Sequence, residues 1–467
     1  MTAPVAYLVK RNGLERFLLL FADVRAGEGK TAILLTANLF LLLTAYLIIK
    51  TVREALILSE GGAEVKSYAA AGQALLLFVL VPAYGYLASR VNRIKLINGV
   101  TLFFISNLAV FYFLSRLRVA LGVVFFLWVG IFNLFIIAQF WSFANDIYTE
   151  NQGKRLFAIV AFGGSLGAVL GPIVASTLFE PVGPYLLMLV TAALLGLCLI
   201  FSNIVNGIES RAGHAAEKAG DASQPLARGG TFRLVIGKPY LLLIALLLIV
   251  SNIVNSNGEF LLGKAVTQQA QQLVNASAQR ASPAETAKPL AVEQQNKVRD
   301  SIARFYGDFF FTVNLVSVLA QLFLVSRIMK AVGVPASLYF LPIIALSGYS
   351  ILSILPVLAV IRSIKVVENS TDYSLQNTAR QALFLPTTRE EKYKAKAAID
   401  TFFVRIGDLL STGLVFLSVQ LSFTLQTLSA VNVGLTALWL LLVIGIGRHY
   451  RALAAQPVPA ESDTPRG

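Results

Sequence analysis

The chain has 467 residues, 56% of them hydrophobic and 14% charged, with a formal net charge of +14. A soluble domain carries charge on about a quarter of its residues, so this composition excludes an ordinary water-soluble globule. One cysteine (Cys198) and two histidines (His214 and His449) exclude an intramolecular disulfide and leave little for metal or imidazole chemistry.

A membrane-spanning helix needs roughly 20 apolar residues. Such stretches occur at 31–53, 67–88, 96–115, 119–143, 156–179 and 184–205, and again at 239–262, 306–326, 335–354, 356–376, 399–420 and 431–449. About twelve spans are therefore expected, in two groups of six. Residues 1–30 contain a short apolar segment, Leu14–Val24, interrupted by Glu15, Arg16 and Asp23. No cleavable signal is evident. The segment reads as a cytoplasmic amphipathic helix, with folding against the bundle as the other reading. Residues 31–206 form the first expected bundle, 207–237 a polar cytoplasmic linker, 238–450 the second bundle, and 451–467 a disordered cytoplasmic tail. A polar insertion at 266–304, rich in Gln, Ala and Glu, is expected outside the membrane. It reads either as a helical cap or as a flexible loop.

The excess positive charge tracks topology. With a cytoplasmic N-terminus, roughly 25 Lys and Arg residues fall inside and about 10 outside, as the positive-inside rule requires. The inner basic groups include Arg90, Arg93, Lys95, Lys154, Arg155, Lys392, Lys394 and Lys396. They are expected to meet lipid headgroups, so nucleic acid is not expected as a partner. Both termini are placed in the cytoplasm, and the membrane is expected to be a bacterial inner membrane.

Several spans carry ionisable residues in their interiors. A charge in hydrocarbon costs a few kcal/mol even on lenient insertion scales, about 2.5–3.5 for Arg, Lys or Asp at a helix centre. Such residues therefore face protein or water. Lys50, Arg53 and Glu54 lie towards the outer end of the first span, with Glu54 at i+4 from Lys50. Snorkelling of the two cations is the competing explanation. Glu259 follows Asn252, Asn255, Ser256, Asn257 and Gly258, a polar run that permits local unwinding and cavity-lining backbone. Lys264 is a poorly spaced partner for it. In the tenth span Arg362, Lys365, Asn369 and Asp372 share one helical face. This face is either the lining of an anion path or an internal salt-bridge network reaching Asp400 or Asp408. Substrate binding is expected at Lys50, Arg53, Glu259, Arg362, Lys365 and Arg405. Gating or coupling is expected at Glu54, Asp308, Glu368, Asp372, Asp400 and Asp408. Gly163, Gly164, Gly167 and Gly171 suit close helix packing. No phosphate-cradling loop, hydrolase elbow or zinc motif is present, so no enzyme, cofactor or metal site is expected.

Six plus six spans around a central cytoplasmic loop is the layout of the major facilitator superfamily. The segment Gly85–Arg93 resembles that superfamily's loop motif in degraded form, with Ser89 in place of its Asp and Asn92 in place of its central Gly. KTVREALILS (Lys50–Ser59) and NSNGEFLLGK (Asn255–Lys264) show weak internal symmetry, with Glu54 opposite Glu259.

Four segments resemble the ATP/ADP translocases of plastids and intracellular bacteria. They are LIIKTVREALILSEGGAE (Leu47–Glu64), FWSFANDIYTENQGKRLF (Phe140–Phe157), RFYGDFF (Arg304–Phe310) and the stretch from Tyr373 to Asp400. The resemblance implies an all-α membrane protein of about twelve helices that exchanges nucleotides. It also implies four charged intramembrane residues, two Lys and two Glu. The first Lys falls at Arg53 and the second Glu at Glu259. The other two positions depart from the pattern, as Val129 and Asp408. The expected activity is alternating-access transport of an anionic solute, with ATP/ADP as the named candidate and a monomer as the working unit. A proton-coupled carrier of another or lipid-linked solute, and a membrane scaffold that transports nothing, are the alternatives.

Overall fold

The computed structural model describes residues 13–19, 23–88, 90–117, 119–211, 231–280, 290–388, 391 and 395–454. All regular structure among the described residues is helical. In chain order the helices are α1 (Gly13–Leu18), α2 (Gly29–Ala88), α3 (Arg93–Ser115), α4 (Gly122–Ile147), α5 (Glu150–Val182), α6 (Pro184–Arg211), α7 (Thr231–Gly237) and α8 (Pro239–Arg280). They continue with α9 (Leu290–Ala320), α10 (Ser326–Ser337), α11 (Phe340–Leu352), α12 (Leu358–Thr371), α13 (Asn377–Ala382), α14 (Lys396–Ala398), α15 (Val404–Gln420) and α16 (Leu425–Ala454).

Nine helices among the described residues are long and apolar enough to cross a bilayer, and the chain is an integral membrane protein. The 60 residues of α2 would make about 90 Å of straight helix, three times the hydrocarbon core of about 30 Å. Gly62, with φ 73° and ψ −174°, breaks it into two arms, a backbone state that only glycine enters cheaply. The charge-bearing tenth stretch is helical from 358 to 382, through α12, a π-helical turn at Asp372–Gln376 and α13. At 1.5 Å per residue that is about 37 Å, enough to span. Counting both arms of α2 and adding α11 and this run gives twelve crossings among the described residues.

The chain groups into two units. The first comprises Met1–Ala69, Leu76–Gln224 and Val266–Asn314. Its organising contact is the glycine face of α5 on α2. A Cβ at Gly167 would strike the Phe40 carbonyl oxygen, and one at Gly163 would strike that of Thr36. At Gly171 it would lie 2.7 Å from Leu47 Cβ and 2.8 Å from the Thr44 oxygen. Glycine lets these two backbones touch, which is how helices associate where lipid is as apolar as the side chains. Phe104, Phe111, Phe125, Trp128 and Phe132 stack or meet edge-to-face between α3 and α4. The exposed amides at the start of α4 are met from α2, since Gly122 N donates to Glu60 Oε2 at 2.6 Å. At the start of α5, Thr149 and Gln152 form a capping box. Arg155 then pairs with Glu28 at 2.8 Å.

The second unit comprises Ala70–Leu75, Pro225–Ala265 and Leu315–Gly467. Here α11 packs on α16 and α12. A buried polar ladder joins α8, α15 and α16. Ser411 Oγ donates to Asn257 Oδ1 at 2.9 Å, Asn257 Nδ2 to Asn432 Oδ1 at 3.0 Å, and Asn432 Nδ2 to the Val254 carbonyl at 3.2 Å. Each member satisfies the next, so the polar groups tolerate a fully buried position.

Several expectations change. The insertion at 266–304 groups with the first unit rather than with the second bundle. Arg304 pairs with Glu180, Arg299 lies over Tyr185, and Gly307 abuts Ser176 and Pro172. Its described parts are helical extensions of α8 and α9, while 281–289 lie outside the described residues. The N-terminal segment does not lie free as an amphipathic helix over 14–24. Its helix covers Gly13–Leu18, Glu15 is buried, and Glu15 Oε1 accepts from Gly27 N at 2.7 Å. The linker is shorter than expected, because α6 runs to Arg211 and α7 starts at Thr231. Its middle, with His214, lies outside the described residues, as do Ser89, Lys392, Lys394 and the tail beyond 454.

Two outcomes test this packing. Gly167→Ala should lower the melting temperature of the purified protein by the equivalent of about 1–3 kcal/mol of overpacking. Gly196→Ala, where nothing lies within 4 Å, should leave it unchanged or raise it. Burial alone would raise the proton affinity of Glu28. Hydrogen bonds from Arg155, Arg25 N and Gln152 outweigh it and hold this carboxyl below its usual range. A group lowered on folding stabilises above its unfolded pKa and loses that contribution as pH falls through the folded one. The native protein should therefore melt above Glu28→Gln at neutral pH, and the two curves should converge below the ordinary carboxylate range.

Candidate functional site

The first unit holds a charged cluster inside its most apolar helix. Glu54 is only 1% exposed. Its carboxylate pairs with Lys66 Nζ at 2.6 Å and with Arg53, whose Nε donates at 3.1 Å. Aromatic faces from two other helices complete the setting. The Arg53 guanidinium lies 4.7 Å from the Phe126 ring centroid, Lys50 Nζ 4.2 Å from Phe310, and Lys66 Nζ 5.5 Å from Tyr306. Ring quadrupoles favour cations and are stronger when desolvated. The helix geometry explains the grouping. Lys50, Arg53 and Glu54 share a face by their spacing, and the break at Gly62 brings Lys66 back to Glu54.

The second unit holds a cluster with the opposite balance. Lys365 is fully enclosed, with its ammonium 2.9 Å from Asn255 Oδ1, 3.2 Å from Glu368 Oε2 and 3.6 Å from Glu259 Oε1. Tyr349 OH donates to Glu368 Oε2 at 3.0 Å, and Asn369 Nδ2 to Glu259 Oε1 at 3.0 Å. A cavity of about 70 Å³ adjoins it, lined by Ser251, Asn252, Asn255, Glu368, Asp372 and Arg380 among others. Beside it on α15, Arg405 and Asp408 pair at 2.9 Å, and Asn252 Nδ2 donates to the other Asp408 oxygen at 2.7 Å.

The structure thus brings Lys50, Arg53 and Glu54 together in one cluster, and Glu259, Lys365, Glu368 and Asn369 in another. Asp372 lines the cavity beside Arg380. Arg362 is half-buried one turn before Lys365. Asp400 is half-buried and feels the charges of Arg380 and Lys396.

Several readings are corrected. The charged triplet lies in the arm of α2 that runs on to the break at Gly62. Glu54 is gripped by Arg53 and by Lys66 from beyond that break, while Lys50 lies against Phe310. The polar run at Gly258 does not unwind, since α8 is continuous from Pro239 to Arg280. Glycine is needed there for space: a Cβ would strike Tyr349 OH and lie 3.0 Å from Lys365 Nζ. Lys365 is closed to an incoming anion in this conformation, because two carboxylates and an amide already surround its ammonium. Asp308 is exposed and forms an ion pair with none of the named cations among the described residues.

Sequence reasoning missed Lys66, Tyr349 and Arg380. Lys66 reads as a loop residue until the Gly61–Gly62 break is seen as a reversal within one helical run. Tyr349 is a lone polar tip in an apolar span. Arg380 lies inside the segment Tyr373–Asp400 and had no partner in sequence to single it out.

Residues 31–272 match the family model of the Major Facilitator Superfamily. The chain is 24% identical over 365 residues to "ADP,ATP carrier protein 1" of Chlamydia muridarum, covering 69% of this chain and 64% of that protein. It is 23% identical over 381 residues to the protein of the same name from Chlamydia pneumoniae, covering 71% and 68%. The match thus spans a little under two thirds of the first relative's length. Among solved structures, that of the nucleoside transporter NupG aligns with a TM-score of 0.61 at 9% identity, over 91% of this chain and 100% of that one. This last likeness concerns the fold.

Removing the central cation of the second cluster tests its electrostatics. Lys365→Met leaves Glu368 and Glu259 without the ammonium they share. Breaking a buried pair in this way costs about 3–5 kcal/mol. The variant should melt well below the native protein, and Lys365→Met combined with Glu368→Gln should recover part of the loss.

Proposed function

The chain belongs to the major facilitator superfamily, and on that premise we propose that it is a secondary transporter of an anionic, phosphate-bearing solute, with ATP/ADP-type exchange as the first case to test. The observation that carries this reading is the Lys50–Arg53–Glu54–Lys66 cluster. A buried carboxylate holds two cations in place within a membrane-spanning helix, against aromatic rings. A phosphate could exchange with Glu54 for the same guanidinium and ammonium, and Arg53 offers the fork geometry that suits phosphate. The aromatic walls are chemically suited to a flat base or to the cations themselves.

In this reading Lys50, Arg53 and Lys66 bind the anion, and Glu54 is the internal counter-anion that keeps them paired when solute is absent. Arg362 and Arg405 belong to a secondary set in the second unit, where Asp408 already engages Arg405. Glu259, Glu368, Asp372 and Asp400 serve gating or coupling. The names of the chlamydial relatives support a nucleotide. Asp408 stands where the translocase resemblance implies a Lys, and the loss of that cation favours a solute of smaller charge than ATP. The transporter works by alternating access as a monomer in a bacterial inner membrane, with both termini cytoplasmic.

The test is uptake of labelled ATP, ADP and phosphate into proteoliposomes preloaded with the unlabelled compound. Native protein should show counter-exchange of at least one of them, and Arg53→Ala should lower it by about tenfold or more, the worth of a charge-assisted hydrogen bond. Flux from Arg53→Ala equal to native would remove the cluster from the site. No flux of any of the three from folded native protein would confine the likeness to fold.

A further inference from the structure

The second unit contains two carboxylates and one ammonium in a closed setting. Glu368 is 2% exposed, and its two partners are Lys365 and the Tyr349 hydroxyl. The same ammonium is also within 3.6 Å of Glu259. The ammonium is shared between the two carboxylates, at 3.2 and 3.6 Å, and a shift towards Glu259 draws it away from Glu368. When it moves to Glu259, Glu368 is left as an enclosed carboxylate whose remaining polar neighbour is a phenol. Burial of an unpaired carboxylate is costly enough that such groups take up a proton instead.

A metal cation is a poor answer to this charge deficit. The space between Asn255, Glu259 and Glu368 where one would bind is filled by Lys365 Nζ, at 2.9–3.6 Å from all three. A proton needs no space of its own. It does need water within reach, and a cavity of about 70 Å³ adjoins the group. Glu368 lines it together with Asp372, one turn further along the helical run, and with Ser251, Asn252, Asn255 and Arg380. That volume is enough to hold ordered water. Trp439, which also lines it, has a buried indole N–H without a protein partner, and so does the Nε of Arg380. These are donors suited to ordered water.

We propose that Glu368 is a proton-binding site of the second unit, occupied when Lys365 pairs with Glu259 and emptied when Lys365 returns to Glu368. The proton arrives from water in the cavity beside Asp372, converts the Glu368 carboxylate to the neutral acid, and leaves by the same path. Every element packed around the group contributes to its setting. Helix α8 brings Glu259, and α11 brings Tyr349. The run through α12 and α13 brings Arg362, Lys365, Asp372 and Arg380. Helix α15 brings the Arg405–Asp408 pair, and α16 brings only the neutral Trp439 and Asn432. Use of this proton to drive solute movement rests on the transport reading above; the binding site itself does not.

The experiment is an infrared titration of the full chain in lipid, following the carbonyl stretch of protonated carboxyl groups without any solute. Native protein should show a buried carboxyl that titrates, and Glu368→Gln should lose that signal. Glu259→Gln is the second variant and guards against misfolding of the first. With its competitor gone, Lys365 stays on Glu368, so a lower pH should be required before the band appears. A band that persists in Glu368→Gln overturns the proposal. So does the absence of a titrating band from native protein, or a band in Glu259→Gln that appears at the same or higher pH. Because no solute is present, this titration and the Arg53→Ala flux measurement fail independently.

Discussion

Glu54 sits fully enclosed in a membrane-spanning helix, within ion-pair distance of Lys66 and Arg53. Its position shows the constraint on which the rest of the structure depends: in hydrocarbon an ionised group persists only if protein supplies its counter-charge. Lipid-facing positions are closed to such groups, so the intramembrane charges collect on interior faces. The two arms of α2 are arranged accordingly. The break at Gly62 returns Lys66 to the carboxylate that Arg53 already holds. Packing then follows from the glycine face of α5, because the contact between the α5 and α2 backbones leaves no room for side chains along that seam.

The two units meet the same constraint with opposite charge balance. In the first, one carboxylate serves Arg53 and Lys66, and aromatic rings cover the cations. In the second, one ammonium serves Glu259 and Glu368, with Asn255, Asn369 and Tyr349 completing the hydrogen bonds. A cation-rich cluster suits an exchangeable anion, whereas a carboxylate-rich one suits an exchangeable proton. The departures from the translocase pattern fit this division. Val129 is fully buried on a helix whose neighbouring Phe125, Trp128 and Phe132 rings stack together, an apolar setting that suits valine better than a carboxylate. Asp408 reverses a charge, yet it is neutralised locally by Arg405 and hydrogen-bonded by Asn252.

Much of this was legible without coordinates. Apolar length marked twelve crossings, including the charge-bearing tenth. Helical spacing put Lys50, Arg53 and Glu54 on one side of a helix, and likewise Arg362, Lys365 and Asn369. The four-residue glycine spacing of α5 announced a close seam. Hydrophobicity and periodicity are properties of each segment alone, and the bilayer acts on each segment almost independently.

Partner choice was not legible, because it depends on which side chains converge from segments far apart in sequence. The sequence alone determined that the protein is helical, lies in a membrane and carries enclosed charge in particular spans. Only the tertiary structure decided that Glu54 meets Lys66 across the break in α2, that Lys365 is consumed by Glu259 and Glu368, and that Gly258 makes room for Tyr349 rather than loosening α8. It also decided that residues 266–314 belong with the first unit. The physical reason is common to all four: burial and spacing fix what a residue must avoid, and the counter-charge or void that meets it comes from another part of the fold.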